Sequence, residues 1–271
     1  CGMKATIIRY GGYNDIDVRF EDGAIAKCRG YTIQPQFIKL DHFVSFQQVR
    51  FIPNYRSFTV ELVYNIEVPD EALSDNGRYL SVDIGLDNLA TIVNNAGLKP
   101  VAINGKGLKS INKYYNKKIS HYREIAKRMN GRDYTNRMNH LTMKRNCKIN
   151  DYMHKASKYL IDYAIANDFN TIVIGNNKEW KQKSTMSKSA NQPFVGIPHM
   201  RFIEMVQYKA QNAGLNVILT EVSYTSGTSF LDNEDPVKAD YNKARRIHRG
   251  LFVTNNGMKI NADVNGAYQI M

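Results

Sequence analysis

The stretch Tyr79–Asn94, which reads YLSVDIGLDNLATIVN, decides the fold of this 271-residue chain. An apolar segment over 80–84 ends at Gly85, and a second apolar segment follows at 89–93, so the pattern predicts a two-stranded hairpin. The first strand carries one acid, Asp83. A rigid strand suits a metal-binding carboxylate, but Asp also begins ordinary turns, and on local sequence the turn is the favoured interpretation.

The order of elements around this hairpin predicts the fold class. Further strands are predicted at 99–103, 170–175 and 216–220, and helices at 108–130, 148–167 and 199–213, with a last helix from about Asp263. Three antiparallel strands followed by alternating helices and strands is the order of the ribonuclease H fold. We therefore predict an α/β, ribonuclease H-like domain.

A β-rich region precedes that domain. Residues 58–68 alternate between apolar and polar side chains and, with 47–52, predict an antiparallel hairpin. The predicted organisation is a small β unit of unknown role over 1–33, a partial β domain over 34–77, and the ribonuclease H-like domain over 78–271.

The positive charge is concentrated in one part of the chain. Residues 105–158 hold fifteen Lys and Arg against three acids, an excess equal to the formal net charge of +12 of the whole chain. A solvated helix face usually mixes both signs, whereas a block this one-sided, interleaved with tyrosines, is typical of polyanion binding. Nucleic acid is therefore favoured over a membrane surface.

Composition excludes several other classes. No apolar run approaches the length of a membrane helix and no signal peptide is present, so a cytoplasmic protein is expected. Cys1, Cys28 and Cys147 form no C-x-x-C pair, which argues against disulfides and a cysteine-based zinc site. The chain begins with Cys1 rather than Met, so a fragment is expected.

Acids at strand ends are the candidate catalytic residues. In a ribonuclease H-like sheet the first and fourth strands are neighbours, so Asp83 can meet acids from later strands and from the last helix. Two Mg²⁺ or Mn²⁺ ions held by such acids would activate water and stabilise a leaving oxygen. Glu221 follows the strand at 216–220 and Asp263 begins the last helix. Taken alone, an exposed turn fits Glu221 equally well, and helix capping fits Asp263 better.

Other motifs are weaker. Trp180, followed by Lys181, would stack against a nucleic-acid strand, and a loop anchored by its aromatic residue is at least as good an interpretation. A phosphate loop at Gly105 is rejected, and the histidines show no metal-ligand pairing. An actin-like ATPase or sugar kinase also opens with an Asp-Gly hairpin, but the second glycine-rich loop of that class is missing.

An ordered series of motifs over about residues 35–271 resembles the TnpB/OrfB family of transposon-encoded, RNA-guided DNA endonucleases. The motifs are VDIGLDNLAT, INGKGLKSINKYYNKK, DYMHKAS, IVIGNNKEWKQ, EVSYTSGTSFLD, RRIHRGLF and INADVNGAYQI. The resemblance implies a RuvC-type nuclease domain from about residue 78, preceded by part of a wedge domain. It also implies a guide RNA from the transposon end, target DNA, Mg²⁺ or Mn²⁺, and a prokaryotic or phage-associated origin. The oligomeric state stays open.

The resemblance assigns roles by position. It implies Asp83 as the first RuvC acid and Asp263 as the last. Most members carry the middle Glu where this chain has Gly175, but a subgroup carries it before SYTS, so Glu221 is predicted as a relocated ligand. Together with the charge block, the resemblance also predicts a set of nucleic-acid contacts: Lys113, Lys117, Lys118, Arg123, Trp180, Lys181, Arg245, Arg246 and Arg249.

Two departures from the family pattern support an alternative. The segment at about 226–258 lacks the cysteines of a zinc ribbon, so no zinc is expected and Arg245, Arg246 and Arg249 are expected to shape this loop without metal. The N-terminus lacks the helical recognition lobe. With Gly175, these departures motivate a nuclease-inactive, RNA-guided DNA-binding protein or a decayed transposase remnant as the second hypothesis.

Overall fold

The computed structural model describes residues 5–10, 16–20, 25–28, 43–54, 57–69, 72–176, 196–248 and 250–271. Two compact units are formed, Cys1–Val68 and Pro69–Met271. In the first unit β1 (Ala5–Tyr10), β2 (Ile16–Phe20) and β3 (Ile25–Cys28) make an antiparallel sheet. The strands β4 (Phe43–Asn54) and β5 (Ser57–Ile66) form a long hairpin, in agreement with the alternation of the sequence.

A five-stranded sheet organises the second unit. Its strands are β6 (Tyr79–Ile84), β7 (Asn88–Asn94), β8 (Val101–Asn104), β9 (Thr171–Asn176) and β10 (Asn216–Glu221). They lie in the order β10-β9-β6-β7-β8, with β6, β7 and β8 antiparallel and with β9 and β10 parallel to β6. The predicted adjacency of the first and fourth strands of this sheet is confirmed, and it puts Asp83 near the centre of the sheet.

Helices cover both faces of this sheet. They are α1 (Lys106–Asn130), α2 (Asn136–Ala166), α3 (His199–Asn212) and α4 (Ala262–Ile270). Alternate residues of the strands, among them Leu80, Val82 and Ile172, join apolar residues of α2 and α3 in one buried cluster. In the part of the chain that the structure describes, none of the helices combines the length and apolar character needed to cross a membrane.

The helix α2 begins at Asn136, shortly after α1 ends at Asn130 and well before the predicted start at 148. Thr135 is its N-cap, and the Thr135 side chain accepts a hydrogen bond from the Met138 N–H. Gly131 ends α1 in the left-handed conformation, at φ 61°. The two helices therefore form a hairpin, and the whole basic block at 105–158 lies on it.

The opposite face of the sheet packs against α4. Ser81 Oγ donates a hydrogen bond of 2.7 Å to the Ala267 carbonyl, which places the Ser81 side of β6 under this helix. Because side chains alternate along a strand, Asp83 lies on the same face. A Cβ on Gly266 would lie 3.2 Å from the Asp83 carboxylate, so glycine allows the helix to pack close to the acid.

The segment at 72–78, which reads as a linker in the sequence, is part of the second unit. The Leu73 N–H donates to the Gly214 carbonyl at 2.8 Å, and Asn170 Nδ2 donates to the Ser74 carbonyl at 2.7 Å. Asn76 Nδ2 donates to the Asp168 carbonyl at 2.8 Å. These bonds tie the segment to the turns that precede β9 and β10.

The segment at 226–258 contains elements that the sequence did not indicate. A short 3-10 helix at Lys243–Arg245 leads into β11 (Arg246–His248), which pairs with β12 (Leu251–Val253). β13 (Lys259–Ile260) completes this small antiparallel sheet and leads directly into α4.

Candidate active site

A cavity of about 570 Å³ opens where the ends of β6 and β9 meet the starts of α1 and α4. Asp83 and Asp263 both line it, as predicted from their positions in the sheet and the last helix. Lys106, Tyr224 and Arg246 line the same cavity. The fold thus brings two of the three predicted acids together.

The carboxylate of Asp263 is directed to the cavity rather than used as a helix cap. Asn261 is the N-cap of α4, and its side chain accepts the N–H groups of Asp263 and Val264. The Asp263 carboxylate instead accepts a 2.9 Å hydrogen bond from Asn88 Nδ2 and lies 3.4 Å from the Arg246 guanidinium. The capping interpretation of Asp263 is therefore wrong.

The electrostatic environment of Asp83 opposes its ionisation. Burial and, to a smaller extent, the nearby Asp263 carboxylate together raise the pKa of Asp83 to about 7, against the opposing effect of the Arg246 guanidinium. Two carboxyl groups that share a partly buried cavity repel each other unless a cation or a proton lies between them. A strongly shifted acid in a cavity is characteristic of functional sites.

Glu221 lies outside this arrangement. Thr220 pairs in register with Gly175, and a Cβ on Gly175 would point at Val222 and at Ile270 of α4. Since side chains alternate, Thr220 and Val222 belong to the face that carries Asp83, and Glu221 belongs to the opposite face. Accordingly Val222 lines the cavity, whereas Glu221 is exposed and does not line it.

The position where most family members carry an acid is filled by apolar side chains. A Cβ on Gly175 would lie 2.5 Å from Val222 Cγ2 and 2.6 Å from Ile270 Cδ1. Both contacts are far tighter than van der Waals distance, so a larger residue at Gly175 requires these two side chains to move. Glycine therefore fits between these side chains as they are placed, and a larger residue does not.

An ion pair fixes the loop that delivers Arg246. Arg245 Nη1 lies 2.5 Å from Glu234 Oε2, and both side chains are mostly buried. Glu234 also accepts hydrogen bonds from the Ser229 N–H at 2.9 Å and from Asn255 Nδ2 at 3.1 Å. These contacts join three parts of the cysteine-free segment. Arg246, predicted as a nucleic-acid contact, follows directly and reaches the acids.

The remaining predicted contacts divide into two groups. Lys113, Lys117 and Arg123 are exposed on α1, and Lys118 is partly buried with its ammonium 5.9 Å from the Tyr114 ring. Lys113 and Lys117 share a face of the helix because they are four residues apart. Trp180, Lys181 and Arg249 lie outside the described residues.

The donor set fits one hard divalent cation. Mg²⁺ is commonly bound through one or two carboxylates, with phosphates of the substrate and water completing its shell. Asp83 and Asp263 supply such a pair. Within the described ranges no cluster of three or more His, Cys, Asp and Glu side chains forms that could hold a metal ion. A second ion would need a ligand that this arrangement of side chains does not provide.

Several residues that shape the site carried no assignment in the sequence. Asn265 is fully buried, donates to the Thr228 carbonyl at 2.8 Å and accepts the Phe230 N–H at 3.0 Å, so it ties α4 to the loop after β10. Asn265 and Gly266 form the middle of the DVNGA motif, and this motif is the sequence signal that could have identified them. Asn88 and Tyr224 had no comparable signal.

Comparisons with known proteins agree with this geometry. Residues 61–181 match a family of probable transposases, OrfB_IS605, and residues 199–270 match a Cas12f1-like TNB domain. The chain is thus similar to these two families over separate stretches of its sequence. The resemblance predicted from the motif series is thereby confirmed. No curated protein matches the sequence.

Two solved structures are similar in fold to this chain. One is a cryo-EM structure of a Cas12f1-sgRNA-target DNA complex, with a TM-score of 0.54 and 18% identity, covering 82% of this chain and 55% of that chain. The other is a CRISPR-Cas12f ternary complex, with a TM-score of 0.53 and 16% identity, covering 94% of this chain and 50% of that chain. The chain therefore spans about half the length of these structures.

Proposed function

We propose that this chain is an RNA-guided DNA endonuclease of the RuvC type, with a ribonuclease H-like nuclease domain. The single observation that supports this function best is the cavity shared by Asp83 and Asp263 beside Arg246. Two partly buried carboxylates in one cavity cost free energy in the absence of a cation. Such an arrangement suits a site that binds a divalent ion and a phosphate.

In this proposal each cavity residue has a defined task. Asp83 and Asp263 would hold Mg²⁺, which supplies a polarised phosphate and an activated water when bound. Asn88 holds the Asp263 carboxylate in place through its side-chain amide. Arg246, at 3.4 Å from Asp263, neutralises the pair before an ion binds and is placed to meet a phosphate oxygen afterwards.

A guide RNA and a target DNA are included in the proposal for two reasons, the charge of the chain and its fold. The α1–α2 hairpin carries the basic block at 105–158, whose net charge of +12 suits the backbone of a nucleic acid. The similar Cas12f1 structure is a complex with sgRNA and target DNA. We therefore assign a guide RNA and a target DNA as partners of this chain.

The test is cleavage of a DNA that matches the RNA co-purified with the protein. The parent should cut this DNA in Mg²⁺ and not in EDTA, and Asp83→Ala should abolish cutting while RNA and DNA binding persist. Unchanged cleavage by Asp83→Ala would remove Asp83 from the site. Asp235→Ala is a matched control and should cut like the parent, since Asp235 is an exposed acid that does not line the cavity.

A second function is favoured by one observation, the position of Glu221 on the opposite face of the sheet from Asp83. If Glu221 never enters the cavity, the chain is an RNA-guided DNA-binding protein with a weak or inactive nuclease site. Glu221→Gln separates the two functions. Loss of Mg²⁺-dependent cutting in this variant supports the predicted relocated ligand and a two-ion mechanism, and an undiminished rate excludes that role.

A further inference from the structure

Tyr224 lies in the wall of the cavity that holds the two acids, and its side chain has no task in the site described above. The residue is 42% exposed. It belongs to the polar loop that follows β10 and precedes the cysteine-free segment. A large aromatic ring exposed at a cavity is more typical of ligand contact than of packing.

The backbone of Tyr224 is held in an unfavourable conformation. Its φ is 62°, in the left-handed region that L residues with a Cβ rarely adopt. The Tyr224 carbonyl accepts hydrogen bonds from the Gly227 N–H at 3.1 Å and from Thr228 Oγ1 at 3.2 Å. Thr228 is fully buried, so the turn is anchored in the interior. Strain maintained in this way clusters at functional sites.

A second tyrosine, Tyr241, packs against Tyr224. The rings of Tyr224 and Tyr241 lie 5.8 Å apart in an edge-to-face arrangement with an interplanar angle of 69°. The Tyr241 ring lies against Gly227, where any Cβ would overlap it. In an edge-to-face pair the edge of one ring meets one face of the other. At least one face of Tyr224 is therefore not covered by Tyr241.

The charges around the ring match a nucleic-acid strand. Arg246 and Lys106 line the same cavity as Tyr224 and add positive charge to its wall. Cationic side chains that follow the backbone, combined with an open aromatic face, are the usual means of binding single strands. A base inside a duplex is already stacked on its neighbours, so only an unpaired base can use such a ring.

We propose that Tyr224 stacks on an unpaired nucleobase beside the phosphodiester that enters the cavity. This inference rests on the proposed nuclease function and adds a specificity-determining residue to it. The ring, and not its hydroxyl group, makes the contact. The interaction is independent of base identity because every base has a π-face.

The test compares two single strands of equal length, one of ordinary DNA and one built from abasic nucleotides that keep every phosphate. Binding to the full chain is followed by fluorescence anisotropy in Ca²⁺, so that cutting does not intervene. Tyr224→Asn removes the ring and tolerates the left-handed backbone, and Tyr224→Gly is a second ring-free variant. Both should weaken binding of ordinary DNA roughly tenfold and leave binding of the abasic strand unchanged.

Controls separate stacking from a general loss of structure. Tyr224→Phe should bind both strands like the parent, because the ring is retained. Tyr208→Asn removes a tyrosine of matched exposure, 43%, on α3 and should have no effect. The inference is overturned if the ring-free variants bind ordinary DNA as the parent does, or if they weaken both strands equally.

The outcomes also distinguish this inference from the proposed function. If the parent cuts matched DNA in Mg²⁺ and Tyr224 shows no dependence on bases, the nuclease stands and the stacking role fails. If the base dependence is found without any cutting, the stacking role stands and the nuclease fails. If the parent binds neither strand, the stacking role fails, and the cutting assay alone decides the nuclease function.

Discussion

Asp83 is the residue on which the chemistry of this site depends, and its surroundings favour the protonated form. Burial, with a smaller contribution from the Asp263 carboxylate, raises its pKa to about 7. Near neutral pH a cation therefore competes with a proton for the same oxygens. Ion binding and folding stability should both depend on pH in the range where Asp83 titrates.

Replacing Asp83 by Asn should stabilise the metal-free protein at pH 8. The folded state keeps the Asp83 proton up to a pKa of about 7, while the unfolded state loses it near the ordinary value of 3.8. The parent therefore loses stability as the pH rises from about 4 to 7, and Asp83→Asn does not. We expect the variant to be more stable by about 1–3 kcal/mol at pH 8 and equal near pH 4. Urea unfolding at both pH values measures this.

A parent whose stability does not fall between pH 4 and 7 relative to Asp83→Asn would contradict the assigned environment of Asp83. Asp235→Asn is the control for replacing an acid outside the cavity, because Asp235 is exposed.

Gly175 offers a way to rebuild the missing ligand. Gly175→Glu alone should destabilise the protein because its Cβ meets Val222 and Ile270 at 2.5 and 2.6 Å. With Val222→Ala as well, space is created on the face that carries Asp83. The double variant should bind Mg²⁺ more tightly and cut matched DNA faster than the parent. Equal rates in the double variant and in Val222→Ala would show that a carboxylate at this position does not reach the ion.

At the scale of elements, the segment at 226–258 depends on the pair of Glu234 and Arg245. Glu234→Gln keeps the shape of the side chain but leaves the mostly buried Arg245 guanidinium without its counter-charge. We expect a loss of about 1–3 kcal/mol in the free energy of unfolding, measured by denaturant titration at pH 7. The same loop carries Arg246, which lies beside Asp263. The Mg²⁺ affinity of the variant should therefore differ from that of the parent.

The pH dependence of this loss has a defined sign. Hydrogen bonds from Arg245 hold the pKa of Glu234 below its ordinary value of 4.5, so the stabilisation is present above that pH and is lost as the pH falls through the lowered pKa. The difference between parent and Glu234→Gln should therefore disappear in acid. Glu204→Gln, an exposed replacement on α3, is the control and should leave stability unchanged. A deficit of Glu234→Gln that persists in acid would argue against the ion pair.

The elements of the sheet could be predicted from sequence because each has a strong periodic signal. The strands at 79–84, 88–94, 171–176 and 216–221 are apolar runs bounded by Gly or Asn, and their order predicts which of them are neighbours. The small sheet β11–β13 escaped prediction because its strands are two or three residues long. The geometry of this small sheet depends on the contacts that Glu234 makes with residues from other parts of the segment.

At the scale of the whole molecule, the basic block becomes one surface feature, the α1–α2 hairpin. Replacing both Lys113 and Lys117 by Gln removes two exposed charges from one face of α1. Affinity for nucleic acid should fall equally for all sequences, and the slope of log affinity against log salt should decrease by about 1–2. Anisotropy titrations at several salt concentrations measure both quantities.

Lys99→Gln with Lys238→Gln is the matched control, since it removes two exposed charges outside the hairpin. An equal change of slope in this control would show that the net charge of the chain, rather than the hairpin, determines binding.

The meeting of Asp83 with Asp263 could be anticipated from topology, because a central strand and the last helix converge at one edge of the sheet. The side of the sheet on which Glu221 lies could not be anticipated. One residue of register decides whether a strand-end acid points to the site or away from it, and the motif before SYTS does not fix that register. In the structure, the position of Val222 beside Gly175 shows on which face of the sheet Glu221 lies.

The central claim is that Asp83 and Asp263 hold one divalent ion in common. Calorimetric titration of Mn²⁺ into the protein freed of nucleic acid at pH 8 tests it most directly. The account predicts one site in the parent, loss of that site in both Asp83→Asn and Asp263→Asn, and unchanged binding in Glu221→Gln. An ion that binds either aspartate variant as tightly as the parent would contradict it.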